Sequence, residues 1–407
     1  MSKNRREPEI RFPGFDGEWE QRKVSEITAF HKQGFYTTEA YDDEKKYYLL
    51  RGTDLTENKL VLKDTPKINA TEKDYHTFKT QIGDFLIVRS GTVGTYGIVY
   101  EDIPAIFGSY LIDFRFDKSL VTNEFFGYFY QSDLFKNQLK QIIQQSANTN
   151  INAENIKSTS IKLPSIPEQR QIGTFFDHLD NLITLYQRKC EEAKEFKKSM
   201  LQKMFPKRGE SVPEIRFPGF TGEWESKKIG DFTVRTKERN KSNLDLNPFA
   251  ITNNHGFIAQ NEAHDTFGYM KNVDRRTYVI VKPNSFAYNP SRINVGSLGY
   301  YNGTENVIIS PLYEVFQTTE IIDDIFLKHW FKTENFMNWI EYLQEGSVRL
   351  SFNYDKLQEC IIKIPSIAEQ KKIASCFENI DSLISFYQNK IDEIKKYKKG
   401  LLQKMFV

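Results

Sequence analysis

The chain has 407 residues, of which 27% are charged and 39% hydrophobic, as is usual for a globular protein. Aromatic residues make up 14%, which excludes general disorder, because disordered chains lack large apolar side chains. The 56 basic and 54 acidic residues leave a net charge of +2, so the composition lacks the strong basic excess typical of nucleic-acid-binding proteins. No run approaches about 18 consecutive apolar residues, so we expect no transmembrane helix.

The cysteines and the first residues predict where the protein resides. Cys190, Cys360 and Cys376 form no C-x-x-C pair. The basic start of the chain, Met1 to Arg6, is followed by no apolar stretch, so we expect no secretory signal. These features favour a cytoplasmic protein with reduced thiols.

The chain is a tandem repeat of two halves. The sequence PEIRFPGF begins at residue 8 and again at residue 213, and 13 of the 16 positions in 8–23 recur at an offset of 205. A second block begins with KLPSIPEQ and ends with LQKMF, and 23 of its 44 positions, 162–205, recur at an offset of 201. Two copies of this length predict a molecule with pseudo-two-fold symmetry, which differs from the short periods of solenoid proteins.

Residues 24–161 share little with their counterparts in the second half and predict a mixed α/β domain. Short apolar or β-branched runs predict strands at 47–53, 85–90 and 97–102. Residues 122–145 are then predicted to be helical, and strands followed by helices are typical of α+β folds.

The segment RSGTVGTYG, residues 89–97, follows one of these predicted strands. Arginine can bond guanine bidentately, while serine and threonine hydroxyls can contact phosphates. A glycine-rich turn between two strands explains the same composition without a ligand. The candidate DNA contacts in this domain are Arg51, Thr53, Arg89, Ser90 and Thr92.

Residues 164–206 predict a long helix, the first arm. Between Pro167 and Pro206 the only residue that disfavours a helix strongly is Gly173. Apolar residues recur at spacings of three and four, as in a coiled coil, at Phe176, Leu179, Ile183, Tyr186, Cys190, Ala193, Met200 and Met204. Lys197 occupies the one polar position of this seam.

Residues 229–362 predict a second mixed α/β domain. Strands are predicted at 278–282, 285–289 and 312–317, and helical structure at 323–345. The segment NPSRINVGSLG, from residue 289, lies where RSGTVGTYG lies in the first half. The candidate DNA contacts here are Asn253, Asn254, His255, Arg292, Asn294 and Ser297. Polar segments before the two arms add the weaker candidates Asn148, Thr149, Asn150 and Arg349.

Residues 365–407 predict the second arm. Its seam consists of Phe377, Ile380, Ile384, Tyr387, Ile391, Ile394, Leu401 and Met405. Lys398 stands at the position equivalent to Lys197. Two matched apolar stripes in one chain predict an antiparallel intramolecular coiled coil that holds the two domains at a fixed distance. The alternative is that each helix packs only on its own domain.

The sequence shows no catalytic or metal-binding motif. It contains neither the phosphate-binding G-x-x-x-x-G-K-[ST] nor the zinc-binding H-E-x-x-H, and its six histidines are scattered. We therefore expect a binding protein that holds no metal and no cofactor.

Several of these motifs occur together in a known family. PEIRFPGFxGEWE at the start of each half, PSIxEQ at the start of each arm and LQKMF at its end resemble the specificity subunit of Type I restriction-modification systems. The stretch FAYNPSRINVGSLG, residues 286–299, is similar to sequences in the target-recognition domains of that family. The resemblance extends over essentially the whole chain.

The resemblance implies an α+β fold in which two α/β target-recognition domains are separated by two long helices that pair as an antiparallel coiled coil. The implied boundaries are target-recognition domain 1 at 1–163, a central helical arm at 164–206, target-recognition domain 2 at 207–364 and a C-terminal helical arm at 365–407. Each recognition domain would read one half of a bipartite site in double-stranded DNA.

The resemblance also implies partners. Two modification subunits would methylate adenine with S-adenosylmethionine, and two restriction subunits would cleave DNA with ATP and Mg²⁺, while this chain would not be an enzyme. Two alternatives stay open on the residues alone. One is an autonomous sequence-specific DNA-binding regulator, and the other is a coiled-coil scaffold with two ligand-binding domains.

Overall fold

The computed structural model describes residues 7–38, 40–56, 58–89, 95–144, 151–253, 256–260, 274–343 and 351–407. The chain divides into two units. Unit 1 contains Met1–Arg188 and Tyr387–Val407, and unit 2 contains Lys189–Phe386. Each unit therefore combines one divergent domain with segments of both arms. Among the helices of the described ranges, none has the length and apolar character needed to cross a bilayer.

Unit 1 contains eleven short strands in its described part. They are β1 (Glu20–Lys23), β2 (Thr28–Gln33), β3 (Tyr47–Leu50), β4 (Leu55–Thr56), β5 (Lys59–Leu60), β6 (Lys67–Ile68), β7 (Phe85–Val88), β8 (Tyr96–Ile98), β9 (Ala105–Phe107), β10 (Leu111–Phe116) and β11 (Ser160–Leu163). The helices are α1 (Val24–Ile27), α2 (Glu72–Phe78), α3 (Asn123–Gln131), α4 (Asp133–Gln144), α5 (Ala153–Lys157) and the first arm, α6 (Ile166–Lys203), which continues into unit 2.

The strands of unit 1 form a mixed six-stranded sheet in the order β2-β10-β7-β8-β5-β4. Strands β6, β3 and β9 form a second sheet, and β1 pairs antiparallel with β11. One face of the large sheet packs against α3 through fully buried aromatic rings, such as those of Phe85 and Phe126, whose centroids are 5.3 Å apart. The abundant phenylalanines of the sequence thus form the core, since large rings bury much apolar area.

Unit 2 contains ten strands in its described part. They are β12 (Glu225–Lys228), β13 (Thr233–Thr236), β14 (Phe249–Thr252), β15 (Gly256–Ala259), β16 (Val279–Val281), β17 (Ser285–Tyr288), β18 (Leu298–Tyr301), β19 (Val307–Ile309), β20 (Glu314–Thr318) and β21 (Ile361–Ile364). The helices are α7 (Asp324–Trp330), α8 (Glu334–Leu343), α9 (Tyr354–Glu359) and the second arm, α10 (Ile367–Met405), which continues into unit 1.

The main sheet of unit 2 has four strands in the order β13-β20-β17-β18. This order repeats the β2-β10-β7-β8 part of unit 1, and β12 pairs with β21 as β1 pairs with β11. Smaller sheets pair β14 with β15 and β16 with β19. The two divergent stretches therefore share a fold, and the predicted class of two α/β domains in a tandem repeat is observed.

The helical stretches predicted at 122–145 and 323–345 each consist of two helices in the described residues, α3 and α4 in unit 1 and α7 and α8 in unit 2. In unit 1, Ser132 leaves the helical conformation, and its hydroxyl accepts a hydrogen bond from the backbone N–H of Phe135 at 3.2 Å. Serine competes with helical hydrogen bonding in this way, so it ends α3 and starts α4. In unit 2, the Thr333 hydroxyl donates to the Trp330 carbonyl at 2.7 Å, between α7 and α8.

The repeated arginine and glutamate of the frame bind each other. In unit 1, Arg11 donates two hydrogen bonds, both of 2.8 Å, to the two carboxylate oxygens of Glu168 at the start of α6. In unit 2, Arg216 donates to Glu369 at 2.7 and 2.8 Å. The arginines also donate to the carbonyls of Gly17 and Gly222. The PEIRF and PSIxEQ motifs recur together because they form one contact.

The glutamine after each glutamate fixes the divergent domain to the arm. The side-chain oxygen of Gln169 accepts from the backbone N–H of Thr122, the N-cap of α3, at 2.9 Å. In unit 2, Gln370 accepts from the N–H of Asp323, the N-cap of α7, at 2.8 Å. Each arm therefore begins with a hydrogen bond to the helix that carries the domain's aromatic core.

The arm segments within each unit run antiparallel. In unit 1, Phe406 packs against Phe176, Lys398 lies 2.6 Å from Asp180, and the rings of Tyr387 and Tyr186 are 6.0 Å apart, so one helix ascends while the other descends. The same holds in unit 2 for the contacts Phe205 with Phe377, Lys197 with Asp381, and Cys190 with Ile384. Supercoiling of the two arms along their length stays a prediction.

The predicted seam residues line these contacts. The half-buried apolar members are Leu179, Tyr186, Met200, Ile384, Tyr387 and Ile394, and the buried ones are Phe176, Ile183, Cys190, Ala193, Met204, Phe377, Ile380, Ile391, Leu401 and Met405. Both polar seam positions, Lys197 and Lys398, pair with an aspartate of the facing helix segment. A polar residue at a seam can specify the register of paired helices, because it is stable only opposite its partner.

Removal of a frame arginine should destabilise its unit. Arg216→Ala leaves Glu369, whose side chain is 1% exposed, without a cation, and breaking such a buried pair costs about 3 kcal/mol of unfolding free energy. Lys194→Ala, which removes the exposed pair with Glu191, should cost less than about 1 kcal/mol. Urea unfolding followed by circular dichroism measures both, and Arg216→Ala/Glu369→Gln should recover part of the loss. Equal losses for the two single variants would contradict a structural role for the pair.

Candidate nucleic-acid interface

A groove in unit 1 collects two of the predicted contacts. This unit 1 groove is lined by residues that include Tyr36, Tyr41, Arg51, Thr53, Thr95 and Tyr110. Its walls lie close together because Gly34 has no side chain: a Cβ at that position would come within 2.1 Å of the Gly108 carbonyl oxygen. The segment after β2 can therefore pack directly on the turn before β10.

Arg51 is held in this groove by acidic and carbonyl oxygens. Its guanidinium lies 3.3 Å from the carboxylate of Asp54 and donates to the carbonyl of Asp64 at 2.8 Å. Asp54 is buried and also accepts from the Thr65 hydroxyl at 2.9 Å. Arg51 therefore presents a charge that is already balanced, whereas Thr53 is exposed beside it.

Arg89 lies at the edge of the same part of unit 1. Its backbone N–H donates to the Tyr110 carbonyl at 2.9 Å, and its guanidinium donates a long, weak hydrogen bond of 3.5 Å to the Ser109 carbonyl. It is the last described residue before the loop between β7 and β8. The predicted contacts Ser90 and Thr92 in that loop lie outside the described residues.

Three tyrosines that line the unit 1 groove were not among the DNA contacts predicted from the sequence. The side chains of Tyr36, Tyr41 and Tyr110 are 75%, 58% and 68% exposed. Tyrosine hydroxyls bind phosphates, and exposed tyrosine rings can pack against a ligand at little entropic cost. Their positions in loops follow no period, so the sequence carries no signal that separates them from the many core aromatics.

The corresponding loop of unit 2 joins β17 to β18. It closes on itself, because the N–H of Asn289 donates to the Ser297 carbonyl at 3.0 Å. A single turn, Ile293–Val295, then anchors the loop through the buried Ile293, and Gly296 follows with φ of 91°, a conformation that favours glycine. Arg292 is exposed at the start of this turn.

Arg292 has no hydrogen-bonding or ionic side-chain partner within the described ranges of the chain. Asn294 is half-buried next to it. Ser297 differs, since it is 2% exposed and its hydroxyl donates to the Ile251 carbonyl at 3.4 Å. Of the three candidates in this loop, Ser297 is therefore buried and hydrogen-bonded inside the unit, and only Arg292 is exposed.

Asn253 adjoins this loop from the turn after β14. The Asn253 side chain is exposed, and a Cβ atom built on Gly296 would lie 3.9 Å from the Cβ atom of Asn253. The structure thus brings Asn253, Arg292 and Asn294 to one edge of unit 2. Asn254 and His255, which follow Asn253, lie outside the described residues, as do Asn148, Thr149, Asn150 and Arg349.

A polar cluster in unit 1 connects the divergent domain to both arms. Asp180 of α6 receives Lys398 of α10 at 2.6 Å and the side-chain amide of Asn58, from the β4–β5 turn, at 3.2 Å. The Tyr128 hydroxyl of α3 lies within 2.9 Å of Asp180 and 2.7 Å of Asp177. Burial raises the pKa of Asp177. One carboxylate thus holds three elements together.

Unit 2 carries different side chains at two of the three equivalent positions, each at an offset of 201. His329 replaces Tyr128 and Glu378 replaces Asp177, while Asp381 keeps the aspartate of Asp180. The potential ligand atoms of these three residues lie within 4.8 Å of one another, as a metal site would require. However, Lys328 lies 2.9 Å from Glu378, and Lys197 binds Asp381. Both carboxylates are already neutralised, so the donor set fits an ion-pair network and not a metal ion.

Each half of the chain thus joins an α/β domain with an exposed polar loop to a long helix, which is the architecture of a duplicated recognition protein. Two stretches, residues 16–195 and 221–396, match the family model of the Type I restriction modification DNA specificity domain. Because these matches cover most of both halves, the chain belongs to this family. It is a specificity subunit, the non-catalytic DNA-recognition subunit of a type I restriction-modification system.

Known relatives agree with this assignment. A protein of Methanocaldococcus jannaschii named as the MjaX specificity subunit of a type I restriction enzyme is 24% identical over 409 residues, covering 95% of this chain and 92% of the relative. The crystal structure of a type I S subunit from M. genitalium has a similar fold, with a TM-score of 0.60 and 14% identity over 98% of this chain and 99% of that one. A chain from a study of type I complex assembly and conformational transition aligns with a TM-score of 0.52 and 15% identity, over 97% of this chain and 98% of that one.

Acid should destabilise unit 2 through His329. Burial and the neighbouring lysines lower the pKa of His329 to about 2. Below about pH 6.5 the unfolded chain therefore binds a proton that the folded unit excludes, which lowers the unfolding free energy by about 1.4 kcal/mol per pH unit. The glutamine of the His329→Gln variant does not titrate. The difference in unfolding free energy between the wild-type protein and this variant should therefore narrow from pH 7 to pH 5. Parallel pH curves in urea unfolding would contradict a neutral, buried imidazole.

Proposed function

We propose that the chain reads a bipartite DNA target, with one half-site for each recognition domain. One observation carries the proposal. The β7–β8 loop of unit 1 and the β17–β18 loop of unit 2 occupy equivalent positions in sheets of the same strand order, yet they carry different side chains. Two loops at equivalent positions that carry different hydrogen-bond donors suit two domains of the same fold that bind different base sequences.

The arms would set the gap between the half-sites. The support is the antiparallel course of the arm segments in each unit, together with the two lysine–aspartate pairs that hold their register. A helix rises about 1.5 Å per residue, so the length of the arms would translate into a number of base pairs. A half-site would then be specified by its domain and the spacing by the helices.

The chain would act within a complex. Two modification subunits would bring S-adenosylmethionine and methylate adenine in each half-site, and two restriction subunits would use ATP and Mg²⁺ to cleave DNA. This proposal follows from the family and from the structural relative studied in type I complex assembly. It also accounts for the net charge of +2, since bound partners would supply further DNA contacts. A cytoplasmic location fits such a complex.

Single-molecule methylome sequencing tests this function. The chain is expressed with its neighbouring modification subunit in a host that lacks other methyltransferases. We expect N6-methyladenine in both halves of a split motif, which would give the target and the gap together. An assembled complex that leaves no new methylation would overturn the proposal. Tight sequence-specific binding by the chain alone would then favour an autonomous regulator, and salt-insensitive ligand binding would favour a scaffold.

Arg292 should contribute to one half-site only. If Arg292 forms a bidentate contact with a base, Arg292→Ala weakens binding to DNA that contains the target motif by about 1–3 kcal/mol. Binding to unrelated DNA should stay the same. Arg276→Ala serves as the control, because Arg276 is exposed and paired with Asp274. Arg89→Ala should act in the same way on the other half-site. Competition binding with one half-site changed at a time measures the effect, and equal losses on every sequence would show a phosphate contact instead.

A further inference from the structure

A second groove of unit 1 lies between α4 and the arms. This lysine groove is lined by residues that include Lys136 of α4, Asp180 of α6 and Lys395, Lys398 and Lys399 of α10. Thr95 also lines it, and Thr95 is a lining residue of the unit 1 groove as well. The two grooves therefore meet at the end of the β7–β8 loop.

The lysine groove carries positive charge that the protein does not neutralise. Asp180 is occupied by Lys398, and Asp133, the other acidic residue of the groove, accepts a hydrogen bond from the Gln403 side chain at 2.8 Å. In the described part of the chain, no acidic group lies within ion-pair distance of Lys136, Lys395 or Lys399. Lys395 and Lys399 are four residues apart and therefore share one face of α10.

We propose that the lysine groove binds phosphates of the DNA backbone beside the half-site read by unit 1. The inference rests on the proposed function, and it adds a DNA-binding surface that lies outside the β7–β8 and β17–β18 loops. Three unpaired ammonium groups suit phosphates, which they contact without reading sequence. Thr95 connects the two grooves, so a backbone that runs past the β7–β8 loop continues toward these lysines.

Unit 2 does not repeat this surface. The positions equivalent to Lys395 and Lys399 are Lys194 and Lys198, and Lys194 is paired with Glu191 at 2.6 Å. The position equivalent to Lys136 is Met337. The phosphate contact is therefore expected on one side only, which makes the two recognition domains unequal in affinity although they share a fold.

The salt dependence of DNA binding tests the proposal. The triple variant Lys136→Ala/Lys395→Ala/Lys399→Ala is assembled with its modification subunits and titrated on target DNA at several salt concentrations. Each phosphate contact contributes about 0.9 to the slope of log affinity against log salt, so the magnitude of the slope should fall by about 2.7. From 50 to 200 mM salt the wild-type complex should then lose about 40-fold more affinity than the variant. The methylated motif should stay the same.

A matched variant controls for the loss of charge. Lys140→Ala/Lys396→Ala/Lys404→Ala removes three exposed lysines from the same two helices, outside the residues that line the groove, and should keep the wild-type slope. If the groove variant also keeps that slope while the wild-type complex binds normally, this inference fails and the proposed function stands. If the groove variant instead loses its modification subunits in size-exclusion chromatography, the surface holds a protein, which overturns the DNA assignment. Failure of the wild-type complex to bind DNA would overturn the proposed function itself.

Discussion

The buried glutamate in the first turn of each arm is the constraint on which the rest of the structure depends. A carboxylate there suits the positive end of the helix dipole, but inside the protein it also needs a cation. Arg11 supplies that cation to Glu168 through two hydrogen bonds, and Arg216 does so for Glu369. Because each arginine comes from the opening of its half, the pair fixes the start of the half to the start of the arm. The adjacent glutamine then fixes the helix that carries the domain's core.

A frame built this way leaves the divergent domains free to change. The sheet order of β2-β10-β7-β8 recurs in β13-β20-β17-β18 although few residues are shared, since a core needs apolar volume more than particular side chains. The loops at β7–β8 and β17–β18 begin and end in strands that this core holds. Their side chains can differ without loss of the fold, which is the property that a subunit with many possible targets requires. The residues that hold the frame together and the residues of the two loops are thus different parts of one chain.

The sequence predicted the frame more completely than the site, and the reason is physical. Repeats and helical periodicity are local patterns, so the arms and their seams could be located from spacing alone. The role of Lys398 could not, because its partner Asp180 lies on the other arm and only the antiparallel register brings them together. The break at Ser132 depends on one hydroxyl accepting from a backbone N–H, an interaction that a helical pattern does not reveal. The exposed tyrosines of the unit 1 groove are likewise set by loop conformation, which has no period.

The two units differ most where they are structurally equivalent. At the junction of domain and arms, unit 1 uses Tyr128, whose pKa is raised by burial, whereas unit 2 uses His329, whose pKa is lowered by burial and by the neighbouring lysines. The lysines of the arm differ as well, since Lys194 is paired with Glu191, whereas no acidic group of the described residues pairs with the equivalent Lys395. A duplicated frame therefore supports two domains of unequal electrostatics. In the proposed phosphate contact, the local excess of positive charge in the lysine groove would attract the DNA backbone, so a net charge of +2 is compatible with DNA binding.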